Sequence, residues 1–156
     1  MVDSELLNQQ LRDELYNGNV DHVINIINEN DDVDINFRDV THDQQTILMH
    51  LCYIELDTSS LLVLLEAIFN REPDVNVPDT LGRTVLMHAC IANIPMYVEG
   101  LLQYSQTDAT CVDCDGNSAL TYAVRNCDVY TVSWTAIVFW IWIGVFENQV
   151  LFNVIN

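Results

Sequence analysis

The chain has 156 residues, half of them apolar, with 23 acidic side chains against five arginines and no lysine, for a formal net charge of −18. That length predicts one domain able to bury a core without disulfide staples, and the apolar content excludes disorder throughout. The charge excludes a nucleic-acid partner, because phosphate binding rests on Lys/Arg neutralisation.

The N-terminus, Met1-Val2-Asp3-Ser4-Glu5, has neither a basic n-region nor an apolar h-region. No secretory signal is read there, so a cytoplasmic or nuclear protein with free thiols is expected. Leu7, Leu11 and Leu15 recur every four residues, Gly18-Asn19 breaks the pattern, and Val23, Ile26 and Ile27 form a second stripe. Residues 4–30 are therefore predicted to be an atypical helix pair.

Downstream the chain repeats itself. Asp34-Ile35-Asn36-Phe37-Arg38-Asp39 returns as Asp74-Val75-Asn76-Val77-Pro78-Asp79 and as Asp108-Ala109-Thr110-Cys111-Val112-Asp113, at offsets of 40 and 34 residues. A second landmark keeps register: Thr46-Ile47-Leu48-Met49-His50, Thr84-Val85-Leu86-Met87-His88 and Ser118-Ala119-Leu120-Thr121-Tyr122, at offsets of 38 and 34. Gly82 and Gly116 stand two residues before Thr84 and Ser118, with Gln44 at the matching place in the first copy. In the second copy, Asp79-Thr80-Leu81-Gly82 reads as a turn and Thr84 as a hydroxyl cap. Asn93 ends that helix, Pro95 opens the next, and Val98, Leu101 and Leu102 give it an apolar stripe. In the first copy, a helix is predicted over 46–54. A second begins near Thr58 or Ser59 with Leu61, Leu62, Leu64, Leu65 and Ile68. Such a unit cannot bury both faces alone and must stack on its neighbours.

Gly82-Arg83-Thr84-Val85-Leu86-Met87-His88-Ala89-Cys90, with Leu101-Leu102 and then Asp108 to Asp113, resembles an ankyrin repeat, and Asp115-Gly116-Asn117-Ser118-Ala119-Leu120 resembles the start of another. The family's Thr-Pro-Leu-His is here Thr-Ile-Leu-Met or Thr-Val-Leu-Met. Gln44 replaces its turn glycine, and Asn93 and Cys127 replace its inter-helix glycine. The resemblance implies an all-α, ankyrin-like helical repeat solenoid with short turn tips. Its parts are a cap over 4–30, repeat one over 39–70, repeat two over 79–105 and repeat three begun over 113–128. It also implies a non-enzymatic protein-binding module whose contacts lie at the tips around Asp39, Thr41, Asp79, Arg83, Asp113 and Asn117. The acidic balance points to a partner with a basic surface.

Other chemistries find little support. Cys111-Val112-Asp113-Cys114 is one C-x-x-C pair with His88, Cys90 and Cys127 near it in sequence, but a zinc site wants a second pair and the repeat already explains these positions. His50 and His88 share one repeat slot, which reads as packing. No G-x-S-x-G elbow or Gly-rich phosphate loop occurs. No enzyme, cofactor or metal is expected.

Residues 129–146 carry no charge and include Trp134, Trp140 and Trp142. An apolar C-terminal helix is predicted over 131–146, with one face on Leu120 and Ala123. At 1.5 Å per residue the whole uncharged stretch would span ~27 Å, just under a hydrocarbon core. The alternative reading is a membrane-tethered adaptor anchored by 129–146, or a truncated or alternative product of a longer repeat protein.

Overall fold

A computed structural model of the chain describes residues 4–126. Seven helices and two isolated β-bridges make up the regular structure among the described residues, an all-α architecture. The chain parts between Leu81 and Gly82 into two compact units. Readings that concern 129–156 lie outside the described residues. Among those described, no helix is long and apolar enough to cross a membrane.

In the first unit, α1 (Ser4–Tyr16) buries Leu7, Leu11 and Leu15 along one face. Gly18, at φ +74°, turns the chain into α2 (Val20–Glu29), which buries Val23, Ile26 and Ile27 against α1. Each such side chain contributes roughly 1.5–3 kcal/mol by leaving water. The predicted helix over 46–54 is shorter: α3 spans only Ile47–His50. Cys52 and Tyr53 then bond to carbonyls three residues back, a tighter turn that ends the α-helical ladder. Asp57 caps α4 (Thr58–Phe69) by accepting from the amides of Ser59 and Ser60 at 3.0 and 3.1 Å. Leu61, Leu64, Ala67 and Ile68 are buried on α4, whereas Leu62, read into the same stripe, is half exposed.

The first landmark is a recurring Asx turn. Asp34 Oδ1 accepts from Asn36 N and Asp74 Oδ1 from Asn76 N, both at 2.9 Å. The turns are laddered: Asp74 N donates to Asn36 Oδ1 at 2.8 Å, and Asp34 N donates to Asn8 Oδ1 at 3.3 Å. Asn8, buried on α1, thus stands in for the asparagine of a preceding turn and lets the cap meet the first repeat. Arg71 donates to the carbonyls of Ile27 and Asp31, each at 3.1 Å, closing the C-terminal end of α2.

In the second unit, α5 (Val85–Ile91) buries every residue from Val85 to Cys90 and packs against both α6 (Pro95–Gln103) and α7 (Ala119–Arg125). The Thr84 hydroxyl makes no cap bond, contrary to the sequence reading. Thr84 is buried at the N-cap, and its carbonyl accepts from His88 N at 3.1 Å. Ser118 does cap its helix, in a reciprocal capping box with Thr121. Asn93 takes φ +56° in place of glycine, and Pro95 stands at the first turn of α6. Ala119 and Ala123 are the buried residues of α7, and Asn126 donates to the carbonyls of Cys90 and Ile91 at 2.6 and 3.0 Å.

Candidate interaction surface at the turn tips

The tip over 39–45 is a closed loop. Asp39 N donates to Gln45 O, the amides of His42 and Gln44 donate to Asp39 O, and Asp43 and Gln44 sit at φ +54° and +57°. The Asp39 side chain, only 3% exposed, holds this loop from within. Its Oδ1 accepts from the amide and hydroxyl of Thr41 at 2.9 and 2.6 Å. Its Oδ2 accepts from Arg12 at 3.1 Å and faces His42 Nδ1 at 2.9 Å and His50 Nε2 at 3.7 Å. Burial alone would raise this carboxyl, but the Thr41 hydroxyl and amide, then Arg12 and His42, outweigh it and hold it at about 2. Behind it, the Tyr16 hydroxyl meets His50 Nδ1 at 2.8 Å, and the rings of Tyr16, His42 and His50 lie 5.4–5.6 Å apart. Burial, then the Asp39 charge, pushes the Tyr16 phenol upward.

Asp79, also buried, accepts from Leu81 N at 2.9 Å, and Thr80 N donates to Asp43 O at 2.8 Å, which ties this tip to the one before it. In the second unit, Gly82 sits at φ +80°, and a Cβ there would stand 3.1 Å from Cys114 N. Both its conformation and its space call for glycine.

The tip over 113–117 is closed by the Val112↔Ser118 bridge. Asp113 Oδ1 accepts from the amides of Asp115 and Asn117 at 3.0 and 2.7 Å, and its Oδ2 from the Tyr122 hydroxyl and the Asn117 side chain. Against the raising effect of burial, Tyr122 and Asn117 bring this carboxyl to about 2. The same bond raises the Tyr122 phenol, over whose ring Arg125 lies at 6.0 Å.

Of the six tip residues named from sequence, Asp39, Asp79 and Asp113 are therefore buried loop anchors with little surface for a partner. Burial follows from the number of backbone and side-chain donors that each carboxylate satisfies. Thr41 is exposed, while Arg83 and Asn117 are half-buried. The loops bring together Asp39 with Thr41 and Asp113 with Asn117, whereas Asp79 and Arg83 fall in different units. Sequence reading missed the apolar summits: Val40 is 79% exposed, Leu81 51% and Val112 58%. An aliphatic residue within an otherwise polar turn was the available signal.

Cys90 is buried and its thiol is pushed up to about 12 by that burial; Cys111 is raised by burial and by Asp108, and Cys114 is exposed. Among the described residues, no three His, Cys, Asp or Glu side chains are grouped to hold a metal ion.

No curated protein matches the sequence. The family model described as ankyrin repeats (3 copies) matches residues 57–134, which is half of the chain. Ankyrin repeats are in general protein–protein interaction modules, typically without enzymatic activity. Helix pairs joined by Asp-anchored tips, the recurring Thr/Ser landmark and this match agree: the chain belongs to the ankyrin repeat family.

Proposed function

We propose that the chain is a non-enzymatic adaptor of cytoplasmic or nuclear location that binds a protein with a basic surface through its turn tips, with the cap over 4–30 and repeats over 39–70, 79–105 and 113–128. The observation that carries this reading is the tip over 39–45. Asp39 is bonded on both oxygens, so the loop is fixed before any partner arrives, and Val40, Thr41 and His42 stand exposed on it. A preformed loop loses little entropy on binding. The net charge of −18 favours cationic partners and speeds their encounter.

Selection of random displayed peptides against the full chain tests the proposal. Ligands enriched in Lys and Arg, weakened by salt and by about tenfold in Val40→Ser, are expected. Ligands without cationic bias, or unaffected by that substitution, would refute it.

A second reading is favoured by the 18 uncharged residues of 129–146: an adaptor tethered to a membrane by that segment. Extraction separates the two. A chain released from membranes by alkaline carbonate is not anchored, and one that needs detergent is.

A further inference from the structure

We propose that the groove between the first turns of α2 and α4 is a second docking surface, one that takes a peptide segment carrying lysine or arginine beside an aliphatic residue. The inference rests on the acidic-module reading for its charge and departs from it in place, since the groove is not a turn tip.

The groove has a volume of ~640 Å³ and is open along one side. Val20 and Ile24 of α2 and Val63 of α4 supply its apolar wall, and Val63 keeps 51% of its surface exposed. Three carboxylates attend it. Asp21 lines it directly. Glu14 stands outside the lining but contacts two residues of it, Asn19 Nδ2 at 2.6 Å and His22 Nδ1 at 3.3 Å. Asp57 caps the helix that brings Ser59 and Ser60 to the wall. Hydrogen bonds from Asn19 and His22 to Glu14, and from Ser60 and Ser59 to Asp57, lower both of these carboxyls.

No arginine lines the groove. Each of the three in this unit is engaged elsewhere: Arg12 on Asp39 and Asp13, Arg38 on the Pro78 carbonyl, and Arg71 on the carbonyls of Ile27 and Asp31. The two helix N-termini carry partial positive charge, but Asp57 at the N-cap of α4 and Asp21 in the first turn of α2 offset it. The result is an apolar strip beside carboxylates that none of the unit's arginines pairs. A lysine stem suits the wall and its ammonium suits Asp21. An acidic peptide is repelled, and a wholly apolar one leaves the carboxylates without a partner.

The test titrates the isotope-labelled full chain with a synthetic peptide alternating lysine and leucine, and with its glutamate–leucine counterpart. Saturable amide shifts at Val20, Ile24, Ser60 and Val63 are expected with the first peptide and none with the second. Val63→Lys and Asp21→Lys, both at exposed positions, should each weaken binding by at least about tenfold, while Val40→Ser leaves it unchanged. Shifts confined to other residues, shifts spread over every acidic residue that vanish with salt, or an unchanged affinity in Val63→Lys would overturn the groove while leaving the tip reading standing. Absence of saturable binding anywhere would overturn the acidic-module reading along with it.

Discussion

The tips over 39–45 and 113–117 share one architecture and reach it by different chemistry. In each, a buried aspartate gathers backbone amides. The later tip is held by its own repeat: Gly116 takes φ +79° without strain, Asn117 bonds back to Asp113, and Tyr122 arrives from the adjoining helix. The earlier tip has no glycine and puts Asp43 and Gln44 at positive φ instead. It is stabilised from outside, by Arg12 reaching from the cap helix 27 residues away. Both tips are closed by local turn chemistry, and the earlier one is braced further by a charge lent from the cap.

The comparison can be broken most severely at the aspartates. Asp113→Ala should cost about 3 kcal/mol in urea unfolding, because it leaves the Asp115 and Asn117 amides and the Tyr122 hydroxyl without their acceptor. A loss below about 1 kcal/mol would mean that the loop closes without its carboxylate. Asp39→Asn keeps the shape and removes the charge, and should cost about 2 kcal/mol.

Acid sharpens the same point. Asp39 and Asp113 are held at about 2, below the ordinary 3.8, so the folded state resists their protonation more than the unfolded chain does. Their contribution is whole above pH ~5 and disappears as pH falls through 3.8 towards 2. The decline of stability over that range should be shallower in Asp39→Asn than in the parent chain. Equal slopes would show that Asp39 is not the group responsible.

Salt separates the two tips further. A double-mutant cycle between Arg12 and Asp39 should give a coupling of roughly 1 kcal/mol that shrinks with added salt, and one between Asn117 and Asp113 should be insensitive to it. The smallest effect is at the strained residue. Gln44→Gly should stabilise by about 0.5 kcal/mol, and Gly116→Ala should destabilise by about 1 kcal/mol, both by calorimetry. The same sign for both would contradict the backbone account.

Much of this was legible in the residues. The four-residue spacing of Leu7, Leu11 and Leu15 reads directly as a buried helix face, and two landmarks in register give the repeat. The role of the tip aspartates was not legible. An aspartate in a turn reads as solvated, and one of the donors that Asp39 meets is an arginine on another element. Asn8 was hidden similarly, a polar residue on an amphipathic helix whose partner Asp34 lies 26 residues on. The short α3 escaped because tight three-residue turns keep helical spacing while losing the helical ladder. Val40 carries no turn signal, because turn chemistry is polar while its exposed surface is apolar.

The central claim is that the buried aspartate network presents a preformed protein-binding tip. It is tested most directly by the affinity of a cationic peptide selected on the full chain, compared between parent and Arg12→Ala, with amide shifts recorded at Val40, Thr41 and His42. Arg12→Ala leaves those exposed residues in place and makes the chain more negative, so charge alone would tighten binding. The account predicts the reverse: shifts at those three amides, and an affinity weakened by about tenfold because the tip loses the bonds from Arg12 that brace Asp39 and Thr41. Unchanged or tighter binding in Arg12→Ala, with those three amides unmoved, would contradict it.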